Sequence, residues 1–383
     1  MSLTQNHFIN NHKAYQLKTM KQLLTFLLIL LCLAPSVKAA DSNNRVILVT
    51  VDGVRWRELF GATDSILFLD KTHVRDSAEL HKLYDRPTLD ERLDALIPFT
   101  RSVIEKQGLV IGNRWKDCKM DVTNGMQFSY PGYNEIFTGH PDDVNITSND
   151  KVKNPNVSVF ELANNTPKYH GKVLIFGSWD LFPYIFNVWR SKLEVNGGRD
   201  HALSPKPTQT EKLLDEINDN LPRHFDYLRY DALTLNYALE AMRTRHPELV
   251  CIGFGEPDDF AHEARYDEYL KAITRFDGYL KRIWEFVQND KFYRGKTTII
   301  VTTDHGRGYS ASVERAGIFR CHSTDFEHSG ETWLMAIGNQ IPAKGVIEGP
   351  CQYYTNQVAA TVANLLGIPF TTNAPGTGKA MKF

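Results

Sequence analysis

Six side chains able to bind a divalent cation stand at four places in the chain. They are Asp52 in LVTVDGV, Asp258 and His262 in IGFGEPDDFAH, Asp304 and His305 in IVTTDHG, and His328 in FEHSGETW. Taken singly, each aspartate could be a turn or capping residue. Together they share a setting, because all three follow short apolar runs, and ligands of open α/β sheets collect beyond the carboxyl ends of the strands. Asp258 and His262 are four residues apart, which puts both on one face of a helical turn. Three carboxylates and three imidazoles suit two metal ions that keep positions open to substrate or water. Mixed nitrogen and oxygen donors without cysteine point to two Zn²⁺, with Mn²⁺ or Fe as alternatives. Calcium would favour an all-oxygen set. Two divalent ions against three carboxylates leave a charge of about +1, suited to an anionic ester.

The stretch MQFSYPGYNEIFTGHP supplies a hydroxyl, Ser129, just before Tyr130-Pro131-Gly132. Because Pro131 biases Tyr130 away from the α region, Ser129 is expected to end an extended segment, with a helix opening near Tyr133. The ordinary explanation is an N-cap serine. The alternative is a nucleophile at a helix N-terminus, where backbone N–H groups and the helix dipole favour developing negative charge. The neighbouring ligand candidates favour the nucleophile. Ser129 would attack phosphorus, giving a phosphoseryl intermediate that metal-bound water then hydrolyses.

These groups need a scaffold, and the sequence supplies one. Continuous apolar, β-branched runs at 45–51, 172–178, 248–255, 297–303 and 332–338 read as strands covered on both faces. The stretch 267–290 carries an apolar stripe at helical spacing, and 355–367 reads as a helix ending at Gly367. The expected architecture is a three-layer α/β/α sandwich with a mainly parallel central sheet. Residues 40–383 would form a single metallohydrolase domain, with insertions at about 53–98 and 179–247. The second insertion opens with WDLFPYIFNVW, read first as packing for a cap and second as a substrate platform.

The bulk numbers narrow the function classes. With 383 residues, 42% of them hydrophobic, and a net charge of −1, the chain has material for a large core and no basic patch for nucleic acid. Met20-Lys21 followed by an apolar stretch ending in Val37-Lys38-Ala39 reads as a cleavable signal, with residues 1–39 forming an upstream segment and leader. A permanent anchor needs about 20 apolar residues and is not expected. The destination would be periplasmic or secreted, and nothing sets an oligomeric state. Outside the leader, Cys251 reads as a buried thiol and Cys321–Cys351 as a candidate bridge, Cys118 being the fourth cysteine. His140, His201, His224 and His322 lack a matching motif and read as structural or surface residues, and Lys151 as a solvated lysine.

The ordered motifs VTVDG, FSYPGYNEIFTGHP, GEPDDFAH, TTDHG, HSGE and NQVAATVANLLGIP resemble those of the alkaline phosphatase superfamily, specifically its nucleotide pyrophosphatase/phosphodiesterase-like branch. The resemblance runs from Val46 to Gly367 and fits the two insertions poorly. It implies one zinc held by Asp52, Ser129, Asp304 and His305, and another held by Asp258, His262 and His328, with Ser129 both ligand and nucleophile. It also implies an asparagine beyond the nucleophile that contacts phosphate, with Asn149 the closest match and Asn145 the second. The sequence departs from the branch at Ser-Tyr-Pro-Gly-Tyr, where diesterases of this kind carry Thr-Phe-Pro-Asn-His, so the substrate does not carry over. Tyr133 stands where formylglycine sulfatases need arginine. The expectation is an exported dinuclear-zinc hydrolase of small phosphate esters, diesters favoured over monoesters. Its competitors are a sulfatase or phosphonate hydrolase on the same site and a non-catalytic Ca-binding surface protein.

Overall fold

The computed structural model describes residues 43–222, 224–372 and 374–383; the expected leader at 1–39 lies outside them. Each apolar run becomes a strand: β1 (Arg45–Val51), β4 (Val173–Gly177), β6 (Leu249–Phe254), β7 (Thr297–Thr303) and β8 (Leu334–Gly338). Short strands β2 (Gly108–Ile111), β5 (Glu194–Gly197) and β9 (Gly345–Val346) extend the sheet to eight strands in the order β5-β4-β6-β1-β7-β8-β2-β9. Pairing is parallel except at β8, which runs antiparallel to both β7 and β2. A separate parallel pair joins β3 (Cys118–Asp121) to β10 (Cys351–Tyr354).

Both faces of the sheet are buried, which is why its strands read as continuous apolar runs. Along β1, Ile47, Val49 and Val51 enter one core and Val46 and Leu48 the other. Helices Asp231–Arg245 and Tyr266–Asn289 and the short helices of 53–98 cover the first face. Helices Ser129–Thr138, Val159–Asn164 and Gln357–Leu366 cover the second. The segment 179–247 does more than cap, because it supplies edge strand β5 and covering helix Asp231–Arg245.

The disulfide differs from expectation. Cys118 and Cys351 stand opposite each other across β3 and β10 and are bonded, so Cys321 does not bridge to Cys351 and remains a free, half-buried thiol. Strand register, invisible in cysteine spacing, made that choice. Cys251 is a buried free thiol, as its place in β6 suggested. Among the described residues no helix is long and apolar enough to cross a membrane.

Candidate metal centre and active site

Strands β6, β1 and β7 are neighbours, and each delivers an aspartate beyond its carboxyl end. Asp52 follows β1 and Asp304 follows β7 directly. Asp258 sits in helix Glu256–His262, which starts two residues after β6. Gly53, at φ +61°, lets the β1 turn pass close to Asp258; a Cβ there would fall 2.4 Å from the Asp258 carboxylate.

The helix carrying Ser129 begins earlier than the proline rule predicts. It spans Ser129–Thr138 with Phe128 as N-cap, since a proline in the first turn gives up an N–H that has no intrahelical partner anyway. Ser129 is therefore no cap. Its Oγ lies 3.4 Å from Asp52 Oδ1 and 3.2 Å from His305 Nε2, and the residue is 4% exposed. Gly132 permits this approach, because a Cβ there would sit 2.4 Å from the Asp304 carbonyl oxygen. One turn on, the buried Tyr133 phenol donates to Asp52 Oδ2 at 3.3 Å. Burial, reinforced by Asp52 and Asp304, keeps that phenol protonated.

Two ligand clusters overlap at His305. Asp52, Asp304 and His305 bring one donor atom each within 4.8 Å of one another, and so do Asp258, His305 and His322. His305 Nε2 lies 3.2 Å from Asp52 Oδ1, 3.5 Å from Asp304 Oδ2 and 4.0 Å from Asp258 Oδ1. Its Nδ1 faces the Gly306 carbonyl at 2.7 Å, and Nδ1 of His322 faces the Gln127 carbonyl at 3.1 Å. In both rings that contact puts a proton on Nδ1; Nε2 of His305 then faces the carboxylates, and Nε2 of His322 lies between His262 Nε2 at 3.1 Å and Asp258 Oδ1 at 4.0 Å. Burial and the stacked His305 ring, 3.9 Å away, hold the His322 imidazole neutral. His262 Nε2 lies 3.0 Å from Asp258 Oδ2 and 3.1 Å from His322 Nε2.

His328 is the expected ligand that the structure leaves out. Its Nδ1 pairs with Glu331 at 3.0 Å and its ring packs on Tyr309, while His322, read from sequence as structural, occupies the cluster. The reason is the path of the chain. After the 3₁₀ segment Val313–Arg320, the irregular loop folds back and presents His322 first. No local motif marks His322, so sequence spacing offered no signal for it. Buried Arg307 was also missed. Its guanidinium contacts Asp258 and donates to the carbonyls of Phe319 at 2.8 Å and Arg320 at 2.7 Å, tying that loop to the centre.

The donor set fits divalent metal. Asp304 Oδ2 is buried without a hydrogen-bond partner, while Oδ1 accepts from the Gly53 N–H at 3.1 Å. Burial, then repulsion from Asp258, pushes the Asp52 carboxyl well above its ordinary range; burial and Asp52 do the same to Asp304. Burial also opposes ionisation of Asp258, but Arg307 and His262 overcome it and hold that carboxyl low. The half around Asp52 and Asp304 is thus short of positive charge, and a cation would supply it.

A cavity of about 310 Å³ opens over Ser129, lined by Asn149, Lys151, Trp179, Phe182, Tyr227 and Leu228 among others. Asn149 Oδ1 accepts the Tyr130 N–H at 2.9 Å, which places the amide beside the nucleophile. Asn145 instead bonds Asp142 on the surface. The aromatic run divides its work: Phe182 and Phe186 pack on Phe137, while Trp179 and Phe182 also face the cavity. Lys151 is not free in solvent, since it pairs with Asp180 at 2.7 Å. Of the remaining histidines, His140 bonds the Pro141 carbonyl, and His201 and His224 make surface pairs with Asp219 and Glu263.

This α/β fold, with histidines and aspartates at the carboxyl edge of its sheet, has counterparts among solved structures. The fold is that of the alkaline phosphatase superfamily, and residues 223–337 match the sequence model of the Metalloenzyme superfamily, a span holding Asp258, His262, Asp304, His305 and His322. A protein in the alkaline phosphatase superfamily from Vibrio parahaemolyticus aligns with TM-score 0.50 and 12% identity over 89% of this chain and 70% of that one. Murine ectonucleotide pyrophosphatase/phosphodiesterase 5 aligns with TM-score 0.50 and 13% identity over 88% of this chain and 97% of that one. In sequence, the 2,3-bisphosphoglycerate-independent phosphoglycerate mutase of Gloeobacter violaceus is 24% identical over 135 residues, 35% of this chain. The matched segment spans 24% of the mutase.

Proposed function

We propose that the chain is an exported hydrolase of small phosphate esters, favouring diesters, that works with two zinc ions and a serine nucleophile. The reading rests on the convergence of Ser129 Oγ, Asp52, Asp304 and His305 at the base of an aromatic-lined cavity. Asp52, Ser129, Asp304 and His305 would hold one ion, and Asp258, His262 and His322 the other. Divalent ions bound there would neutralise phosphoryl charge and favour the ionised serine hydroxyl.

The chain's own groups account for the remaining roles. Ser129 Oγ forms the bond to phosphorus as the ester P–O bond breaks, and the departing oxygen takes up a proton. Water then cleaves the phosphoseryl bond and restores the hydroxyl. The N-terminus of Ser129–Thr138 favours negative charge at the nucleophile. Asn149, anchored through Oδ1 on the Tyr130 N–H, has its amide nitrogen left to donate to a phosphoryl oxygen.

The test is turnover of bis(4-nitrophenyl) phosphate and 4-nitrophenyl phosphate by zinc-loaded protein. Ser129→Ala is expected to keep its metal content and lose turnover by at least about 10³-fold. Calcium alone in the purified protein, or an unchanged rate in the variant, would overturn the reading.

A further inference from the structure

Lys151 is the one lysine or arginine among the described residues that line the cavity, and it does not face the phosphoryl position unaccompanied. Its ammonium lies 2.7 Å from Asp180 Oδ2, and Asp180 stands between Trp179 and Phe182 in the aromatic run. Asp180 is held in turn, with its backbone N–H donating to the Tyr227 carbonyl at 3.0 Å. Side-chain exposures of 52% for Lys151 and 29% for Asp180 mark a solvent-screened pair that adds little to stability. Its larger consequence is for charge. A pair at the mouth of a phosphate site cancels the one fixed cation that could compensate a second phosphoryl charge.

Resting on the phosphate-ester reading above, we infer that the Lys151–Asp180 pair sets the substrate class, selecting monoanionic phosphodiesters over dianionic monoesters. A monoester dianion carries one negative charge more than a diester. With Lys151 neutralised and Asp259 adding a carboxyl to the cavity lining, that extra charge has no side-chain cation to meet it. The apolar groups of Leu181, Phe182 and Leu228 face the same space and give a second ester substituent a surface to bury. A sulfate ester is also monoanionic but has one substituent only and would leave that surface unused.

Three variants test the pair: Asp180→Asn, Lys151→Met and the double substitution. Asp180→Asn is expected to raise the ratio of monoester to diester kcat/KM by about tenfold, equal to about 1.4 kcal/mol. It should also tighten inorganic phosphate binding, read by calorimetry on zinc-loaded protein, by about the same factor. Both gains should disappear in the double variant, because the freed ammonium is their source. No change in phosphate affinity in Asp180→Asn, or a gain that survives loss of Lys151, overturns the inference. So does wild-type turnover of 4-nitrophenyl sulfate faster than of the diester. Calorimetry does not depend on turnover, so an inactive protein would sink the proposed function while the charge effect of the pair is still measured.

Discussion

The two halves of the metal centre are built differently. Asp52, Asp304 and His305 sit directly on the ends of β1 and β7, two adjacent central strands with both faces buried, and Ser129 is pressed against them by a wholly buried helix. Asp258, His262 and His322 come from a short helix and an irregular loop, held together by Arg307, and His262 remains 42% exposed at its side chain. The first half is positioned by backbone hydrogen bonds of the sheet. The second is positioned mainly by side-chain contacts on a short helix and an irregular loop, the kind of segment that opens locally at lower cost.

The largest expected effect lies in the rigid half. Asp304→Asn should lower ester turnover by about 10³-fold, because a buried carboxylate whose Oδ2 has no hydrogen-bond partner becomes a neutral amide. Its thermal midpoint should also gain less from added zinc than the wild type's, since ligand stabilisation grows with affinity. A normal zinc-induced shift would remove Asp304 from the ligand set.

A middle effect separates the two histidines of the loop. His322→Gln is expected to cut activity and the occupancy of one metal by about 10–100-fold, and His328→Gln to stay within about threefold of wild type. Metal analysis and rate together decide, and the reverse ranking would restore the assignment implied by motif resemblance.

The smallest effect concerns the anchorage of the looser half. Asp231 accepts the N–H groups of Gly255 at 2.9 Å and Glu256 at 3.1 Å, where the helix carrying Asp258 and His262 begins. Burial, then neighbouring Glu256, pushes its carboxyl up to about 7 from an ordinary 3.8. A raised folded value means that the native state holds the proton more tightly. The resulting stability is complete below the unfolded value and is lost as pH rises from about 4 to about 7. The melting-temperature advantage of wild type over Asp231→Asn should therefore shrink across that window; an advantage that grows with pH would contradict the assignment.

Much of this centre was legible in the sequence. Strand runs ending in Asp52 and Asp304 announced themselves because a strand buried on both faces must be apolar throughout, so its polar terminus stands out. The i,i+4 pair Asp258 and His262 was readable for the same kind of reason, being set by local helical geometry. Ser129 was legible as a hydroxyl near a helix start, although Pro131 suggested a later start than the first-turn tolerance for proline produced.

The sequence by itself determined five strands of the sheet, the acidic strand ends and a hydroxyl near a helix start, because each follows from the pattern of a few neighbouring residues. Only the tertiary structure decided that His322 rather than His328 joins the cluster, that Cys118 rather than Cys321 meets Cys351, and that Lys151 is neutralised by Asp180. Those three outcomes depend on how loops fold back and on strand register between segments far apart in the chain, and no local pattern encodes them.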